Sequence, residues 1–259
     1  MKVAVIGCGN VSKMHLKALR ENPETEIIAV ADIDFAKADS TANEYGAKAY
    51  YNFDELLKTE KPDSIHICTP HYLHTDMAVK ALTAGINVLT EKPAGVYTLQ
   101  VRDMMAEADK HPELKFGMMF NQRTNCLYRK MKDILDSGEL GEIRSSVWII
   151  TNWYRPQAYY DSGDWRATWA GEGGGVLLNQ CPHNLDLWQW LCGMPVSVHA
   201  KMHFGKYHNI EVEDDVVATV EYENGAMGTM YKPSSWVDDC MYAANWLYMA
   251  TGDESYLKK

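Results

Sequence analysis

The chain has 259 residues, 46% of them hydrophobic and 23% charged, and a formal net charge of −10. This is a soluble globular composition with room for one large or two modest domains, and its acidic balance argues against a nucleic-acid backbone as main partner. No apolar run approaches the ~20 residues of a membrane helix, so no membrane partner is expected.

Six cysteines (Cys8, Cys68, Cys126, Cys181, Cys192, Cys240) form no C-x-x-C pair and read as reduced, mostly buried thiols. His71 and His74 are the closest histidine pair, but nothing nearby completes a zinc motif, so no metal is expected. A strand pattern begins at Lys2 and leaves no room for a signal peptide, which makes the cytoplasm the expected compartment.

In chain order, Lys2–Ile6 is an apolar run that suits a buried parallel strand. Ser12–Glu21 has helical spacing. Ile27–Ala31 is a second buried strand ending at Asp32, and Phe35–Tyr45 a helix stopped by Gly46. A short strand (Ala49–Tyr51) and a short helix (Phe53–Lys58) follow. The strand Ser64–Cys68 halts at Thr69-Pro70, and the helix His74–Ala84 is capped by Gly85. The strand Asn87–Thr90 runs into Glu91-Lys92-Pro93, then come a helix (Leu99–Ala108) and a strand (Lys115–Phe120). This alternation predicts an α/β domain with a doubly wound parallel sheet over 1–122.

The pattern then changes. Asn125–Ser137 reads as a helix closed by Gly138, and Ile143–Trp153 as a long β-rich run. Gly173-Gly174-Gly175 precede a helix over Val176–Cys192. Strand patterns follow at Val196–Phe204, Val212–Tyr222 and Ala226–Tyr231, the last two joined by the hairpin signal Asn224-Gly225. An α+β domain with an open, largely antiparallel sheet is expected over 123–234, and a helical segment over 235–259.

The first βα turn, Gly7-Cys8-Gly9-Asn10-Val11-Ser12, carries chemistry. Gly7 permits the tight turn, Gly9 lets a pyrophosphate approach the backbone, and Ser12 is small enough for helix and strand to pack. The helix N-terminus supplies N–H groups and a positive dipole end for the anion. Asp32, ending the next strand, can accept ribose hydroxyls and would repel a 2′-phosphate, which favours NAD over NADP.

Further residues carry a family resemblance: Thr69-Pro70, His74, Ala78, Ala81-Leu82, Ala84-Gly85 and Glu91-Lys92-Pro93, then Asn121 and Arg123, Gly138 through Ile143, Trp165-Arg166, Gly173-Gly174-Gly175, His183 and Asp186. Over residues 1–231 the chain resembles the glucose–fructose oxidoreductase, inositol dehydrogenase and MocA (Gfo/Idh/MocA) family. The resemblance implies an N-terminal Rossmann domain, and an α+β domain whose open sheet often forms a homo-oligomer face. It implies a substrate among sugars, cyclitols and related polyols, with hydride passing to or from the nicotinamide. Thr69, Pro70, Glu91 and Lys92 join Gly7, Gly9, Asn10, Val11, Ser12 and Asp32 as implied cofactor contacts. Lys92 also touches the reacting hydroxyl by resemblance, and Arg123 belongs to the substrate set.

An ammonium at Lys92, just past a strand's C-terminal end, would stabilise developing alkoxide charge. His183 suits proton transfer near neutrality, and Asn179, four residues earlier, shares its face of the expected helix. The family commonly has Asp at position 179 and Gly at position 181. Asn179 can orient a hydroxyl or the imidazole but cannot accept a proton, so proton transfer falls to His183 or Lys92. Trp153, Tyr154, Tyr159, Tyr160 and Trp165 read either as a sugar-stacking surface or as packing between domains. Arg155 and Arg166 could hold hydroxyl or carboxylate groups.

Past residue 231 the resemblance stops. Ser235–Lys259 resembles a helix–turn segment of family-9 glycoside hydrolases, without residues that would argue catalysis. A fusion or misassembled reading frame, a genuine short variant, and a chance likeness all account for it; the first is favoured, and the second domain is then expected to lack strands. The leading expectation is an NAD-dependent sugar or cyclitol oxidoreductase. An NAD-retaining glycosidase working by oxidation and elimination, and a truncated non-catalytic NAD-binding protein, are the alternatives.

Overall fold

Strands that are apolar on both faces demand cover on both faces, and the first 119 residues provide it. The computed structural model describes residues 1–150 and 155–232, and the chain divides into two compact units, Met1–Met119 and the chain from Phe120 onward. Trp153, Tyr154, Cys240 and the expected helical segment at 235–259 lie outside the described residues.

In the first unit β1 (Lys2–Ile6), α1 (Ser12–Glu21), β2 (Glu26–Ala31), α2 (Phe35–Tyr45), β3 (Lys48–Tyr50) and α3 (Phe53–Glu60) are followed by β4 (Ser64–Ile67), α4 (His74–Thr83), β5 (Asn87–Thr90), α5 (Thr98–Asp109) and β6 (Phe116–Met118). The sheet order is β3-β2-β1-β4-β5-β6, and every pairing is parallel. The period-two alternation of β1 sorts its side chains. Val3 and Val5 pack with Leu16, Leu19 and Val30, while Ala4 and Ile6 pack with Ile65, Ile67, Leu82 and Met104. Each fully buried Val, Leu, Ile or Met side chain among them contributes about 1.5–3 kcal/mol. The order reverses between β1 and β4, so the crevice for a ligand opens at their C-terminal ends.

Two helices of this unit begin with side-chain caps. Asp34 accepts the N–H groups of Ala36 and Lys37, and Asn52 accepts that of Glu55. The start of α1 has no side-chain cap and no acidic residue in its first turn. No side chain therefore offsets the partial positive charge of that helix start.

The second unit contains α6 (Cys126–Asp136), β7 (Ser145–Ile149), α7 (Gln157–Tyr160), α8 (Pro182–Cys192), β8 (Ser197–Phe204), β9 (Glu213–Glu221) and β10 (Met227–Lys232). The sheet order is β7-β10-β9-β8, antiparallel except for the parallel β7–β10 pair. At the hairpin, Gly225 is left-handed and Ala226 donates to Asn224 Oδ1 at 3.0 Å. Val216, Ala218, Val220 and Met230 form a core with Val176 and Trp188. On the other face Val147, Val217 and Met227 are exposed.

One expected element is corrected. The helix predicted over Val176–Cys192 is a π-helical turn, Val176–Gln180, followed by α8. Pro182 is the reason: it has no N–H to continue a ladder, and it suits a helix's first turn. Asn179 and His183 therefore do not lie on one continuous α-helix. The expected β run at Ile143–Trp153 forms strand over Ser145–Ile149 among the described residues.

Candidate cofactor and substrate sites

The glycine loop leaves β1 under tight constraint. Gly7 has φ 91, and a Cβ there would lie 2.6 Å from the Cys68 carbonyl oxygen. Its N–H donates to Ala31 O at 2.7 Å, tying the loop to the end of β2. Ser12, buried at the start of α1, donates its hydroxyl to Gly9 O at 2.7 Å and closes the loop. A Cβ on Gly9 would meet nothing within 4 Å. The chain's own packing does not need glycine there, but a pyrophosphate lying on the backbone does, so this cradle fits a dinucleotide. Asn10 and Val11 sit exposed at its front.

Asp32 follows β2 and faces the loop. One carboxylate oxygen accepts the Cys8 N–H at 2.8 Å and the other the Asp34 N–H at 2.8 Å. Each oxygen has a second lone-pair direction, so the group that fixes the loop can still receive ribose hydroxyls. The next residue, Ile33, is 90% exposed, an apolar surface beside that carboxylate. The sequence reading passed over Ile33; the signal was an apolar residue just past the end of a strand. Burial pushes the Cys8 thiol up to about 11, which keeps it protonated and inert.

The Glu91-Lys92-Pro93 loop leaves β5 along the same sheet edge. Both ring nitrogens of His74 face carbonyl oxygens, Pro93 O at 2.7 Å and Thr69 O at 2.8 Å. This fully buried ring ties the Thr69-Pro70 loop to the Lys92-Pro93 loop. Glu91 points inward. One of its oxygens lies 2.9 Å from His15 Nε2, and the other accepts the Lys92 N–H at 3.2 Å. Both oxygens of this carboxylate are thus engaged within the chain. His15 Nδ1 in turn lies 3.0 Å from His66 Nδ1.

Burial alone would raise the Glu91 carboxyl, but the hydrogen bond and charge of His15 reverse that, and it ends below its ordinary value. Burial, then the neighbouring His15, lower His66 to about 4. Neither His15 nor His66 stood out in sequence. Their only signal was a polar ring at an otherwise apolar position of α1 and of β4.

In the second unit, Glu213 at the start of β9 accepts the N–H groups of Gly175 and Leu177, both at 3.0 Å. A Cβ on Gly175 would fall 2.0 Å from Glu213 O, so only glycine permits this approach. The π-helical turn anchored there carries Asn179. The Asn179 Nδ2 donates to Glu172 and lies 3.5 Å from the Tyr159 hydroxyl. Arg166 donates to the same hydroxyl at 2.7 Å. Its guanidinium lies 4.4 Å from the Tyr159 ring centroid and 4.6 Å from that of Trp165, and Arg155 lies 4.9 Å from the Tyr159 centroid. Two cations and an amide thus surround one tyrosine.

His183 meets Phe120 edge-on, with ring centroids 6.0 Å apart. Arg123 makes a two-pronged pair with Asp186, at 2.8 and 2.6 Å, so two of its guanidinium nitrogens already hold helix α8. Gln180, 4% exposed, went unnoticed in sequence; neither of its amide atoms has a partner among the described residues.

A glycine loop, an acidic residue that closes on it and a lysine loop on one parallel sheet, followed by an α+β unit, define the class of two-domain dinucleotide-dependent oxidoreductases. The chain belongs to the Gfo/Idh/MocA family: the model of the oxidoreductase family's NAD-binding Rossmann fold matches residues 1–118, and that of the GFO/IDH/MocA C-terminal domain matches residues 128–241. It is similar to D-glucoside 3-dehydrogenase of Escherichia coli, 27% identical over 88% of this chain and 68% of that protein. It is similar to inositol 2-dehydrogenase of Rhizobium meliloti, 27% identical over 77% of this chain and 58% of that protein. Among solved structures, the WlbA dehydrogenase of Chromobacterium violaceum in complex with NADH and UDP-GlcNAcA superposes with a TM-score of 0.85, at 31% identity, over 90% of this chain and 67% of that one. The chain therefore spans roughly three fifths to two thirds of the length of these relatives.

Proposed function

We propose that the chain is an NAD-dependent oxidoreductase acting on a carbinol carbon of a sugar, cyclitol or related polyol. One observation carries this reading: the glycine loop and the Lys92 loop leave the same C-terminal edge of one parallel sheet, as the chemistry of a hydride donor beside a proton acceptor requires. The names of similar proteins, dehydrogenases of glucosides and inositol, support the substrate class.

The residues divide the work. Backbone N–H groups of Gly9, Asn10, Val11 and Ser12 hold the pyrophosphate, Asp32 the adenosine ribose, Ile33 the adenine face, and Thr69, Pro70 and the backbone at Glu91 flank the nicotinamide end. NAD bound there supplies a two-electron hydride acceptor, and NADH the corresponding donor. Lys92 takes the hydroxyl proton during oxidation, or stabilises the alkoxide charge. In the second unit Asn179, His183 and Arg166 hold sugar hydroxyls, Trp165 offers a stacking face, and His183 holds or passes a proton. Arg123 positions α8 through Asp186.

The exposed face bearing Val147, Val217 and Met227 is our choice for contact with a second copy of the chain. The described cysteines are free thiols, which suits a reducing, cytoplasmic compartment.

A thermal-shift comparison of NAD with NADP, followed by NADH formation on a polyol panel, tests the reading. NAD is expected to stabilise more than NADP, and at least one polyol to yield net NADH. A larger shift with NADP, or aglycone release without net NADH, would overturn it. Within the same assay His183→Ala is expected to lower kcat by at least ~10-fold with NAD affinity unchanged. Full activity in that variant would remove His183 from the mechanism.

A further inference from the structure

Glu172 takes no part in the chemistry above, yet it is 1% exposed. A carboxylate that deeply buried persists only where donors hold it. One oxygen accepts the Ala167 N–H at 2.8 Å. Ala167 is itself buried and has φ 52, a left-handed conformation unfavourable for any residue with a Cβ, and it directly follows Arg166. The other oxygen accepts the Nδ2 of Asn179. Glu172 thus joins the Arg166 turn to the π-helical turn, two segments that carry proposed substrate contacts.

The chemistry of that second bond fixes a polarity. A carboxylate only accepts, so it faces the NH2 end of an amide and never its oxygen. An asparagine without such a neighbour has two nearly equivalent orientations. Here Nδ2 is committed to Glu172, and Oδ1 is the end turned from it.

We infer that Glu172 is the positioning residue of the substrate site, locking Asn179 so that its carbonyl oxygen accepts the hydrogen of a substrate hydroxyl. The inference rests on the polyol-oxidoreductase reading and narrows it. The substrate carries a free hydroxyl at this contact, and a deoxy or O-methyl analogue loses the interaction. Glu172 also supplies the buried negative charge that Asn179 lacks, one hydrogen bond away.

An amide–carboxylate exchange tests this. In Glu172→Gln the new side chain offers one acceptor where Ala167 and Asn179 both need one. Asn179 then flips and presents its NH2 to the substrate. On the best polyol, kcat/KM is expected to fall at least ~10-fold, and the preference for the substrate over its deoxy analogue to collapse. In Glu172→Gln/Asn179→Asp the hydrogen bond returns with donor and acceptor exchanged, and an oxygen again faces the hydroxyl. Both kcat/KM and the preference are expected to return to within about threefold of the parent. A purely structural Glu172 would alter melting without moving the substrate-to-analogue ratio.

The single variant Asn179→Asp supplies an arm that needs no turnover. Two carboxylates in hydrogen-bond contact must share a proton, so its Tm is expected to fall, relative to the parent, as pH rises from about 5 to about 8. A parent that oxidises no polyol defeats the functional reading, while the Glu172–Asn179 pair still stands or falls on this melting series. A Tm difference independent of pH, or a Glu172→Gln enzyme with kcat/KM and preference unchanged, overturns the inference.

Discussion

Replacing Lys92 with methionine is expected to lower kcat by about 10³-fold while NADH still binds. The backbone of the loop that carries Lys92 is held by other residues. Glu91 holds the Lys92 backbone N–H, and His74 holds the neighbouring Pro93 carbonyl. Methionine matches much of the lysine stem but neither accepts a proton nor stabilises an alkoxide. Those two functions are worth about 10²–10⁴ in rate when a positioned group supplies them. Lys92→Arg separates them: arginine keeps the positive charge but cannot be deprotonated, so an electrostatic role survives and a proton-accepting role does not. NADH fluorescence titration measures binding, and pre-steady-state NADH formation measures the chemical step. A Lys92→Met enzyme within tenfold of the parent kcat would remove the lysine from the reaction.

The first unit was largely legible because its signals are local. The central strands are short, mostly apolar runs, and Gly7, Gly46 and Gly85 mark the turns. The glycine loop, Asp32 and the Lys92 loop could be placed from strand ends alone. The second unit resisted at Val176–Cys192, where apolar spacing runs straight through Pro182 and reads as one helix. What holds the π-helical turn is Glu213, which bonds to Gly175 across 38 residues and lies outside any local pattern. The same physics hid the rest of the site. His15 meets Glu91 across 76 residues, and Arg123 meets Asp186 across 63. Glu172 and Asn179 are only seven apart, but no helical or strand period pairs them across a glycine turn. Asn179 alone looked like a lost charge; with Glu172 beside it, the carboxylate has moved by one hydrogen bond.

The buried His66–His15–Glu91 chain makes the first unit acid-sensitive in a defined window. His66, lowered to about 4 from an ordinary 6.5, takes up its proton later than the unfolded chain does. Between those values the unfolded state binds more protons, so stability is complete above about 6.5 and declines as pH falls toward 4, by roughly 3 kcal/mol in all. Glu91, held below its ordinary value, adds a further loss at lower pH, as its carboxylate is protonated and the contact with His15 weakens. Urea unfolding between pH 4 and 7.5 is expected to show this slope. His66→Asn, which keeps an acceptor for His15 but removes the titration, is expected to flatten its upper part. At neutral pH the larger effect belongs to His15→Leu. That change leaves the buried Glu91 carboxylate without its hydrogen-bond partner, a loss of about 1–3 kcal/mol. It also removes a link between α1, which carries the pyrophosphate loop, and the Lys92 loop, so NADH affinity is expected to fall with it. Adding Glu91→Leu to His15→Leu removes the stranded charge and is expected to restore most of the stability, because a buried pair replaced by apolar side chains is often neutral. A double variant no more stable than His15→Leu alone would show that packing around His15, and not its hydrogen bond to Glu91, holds this part of the fold.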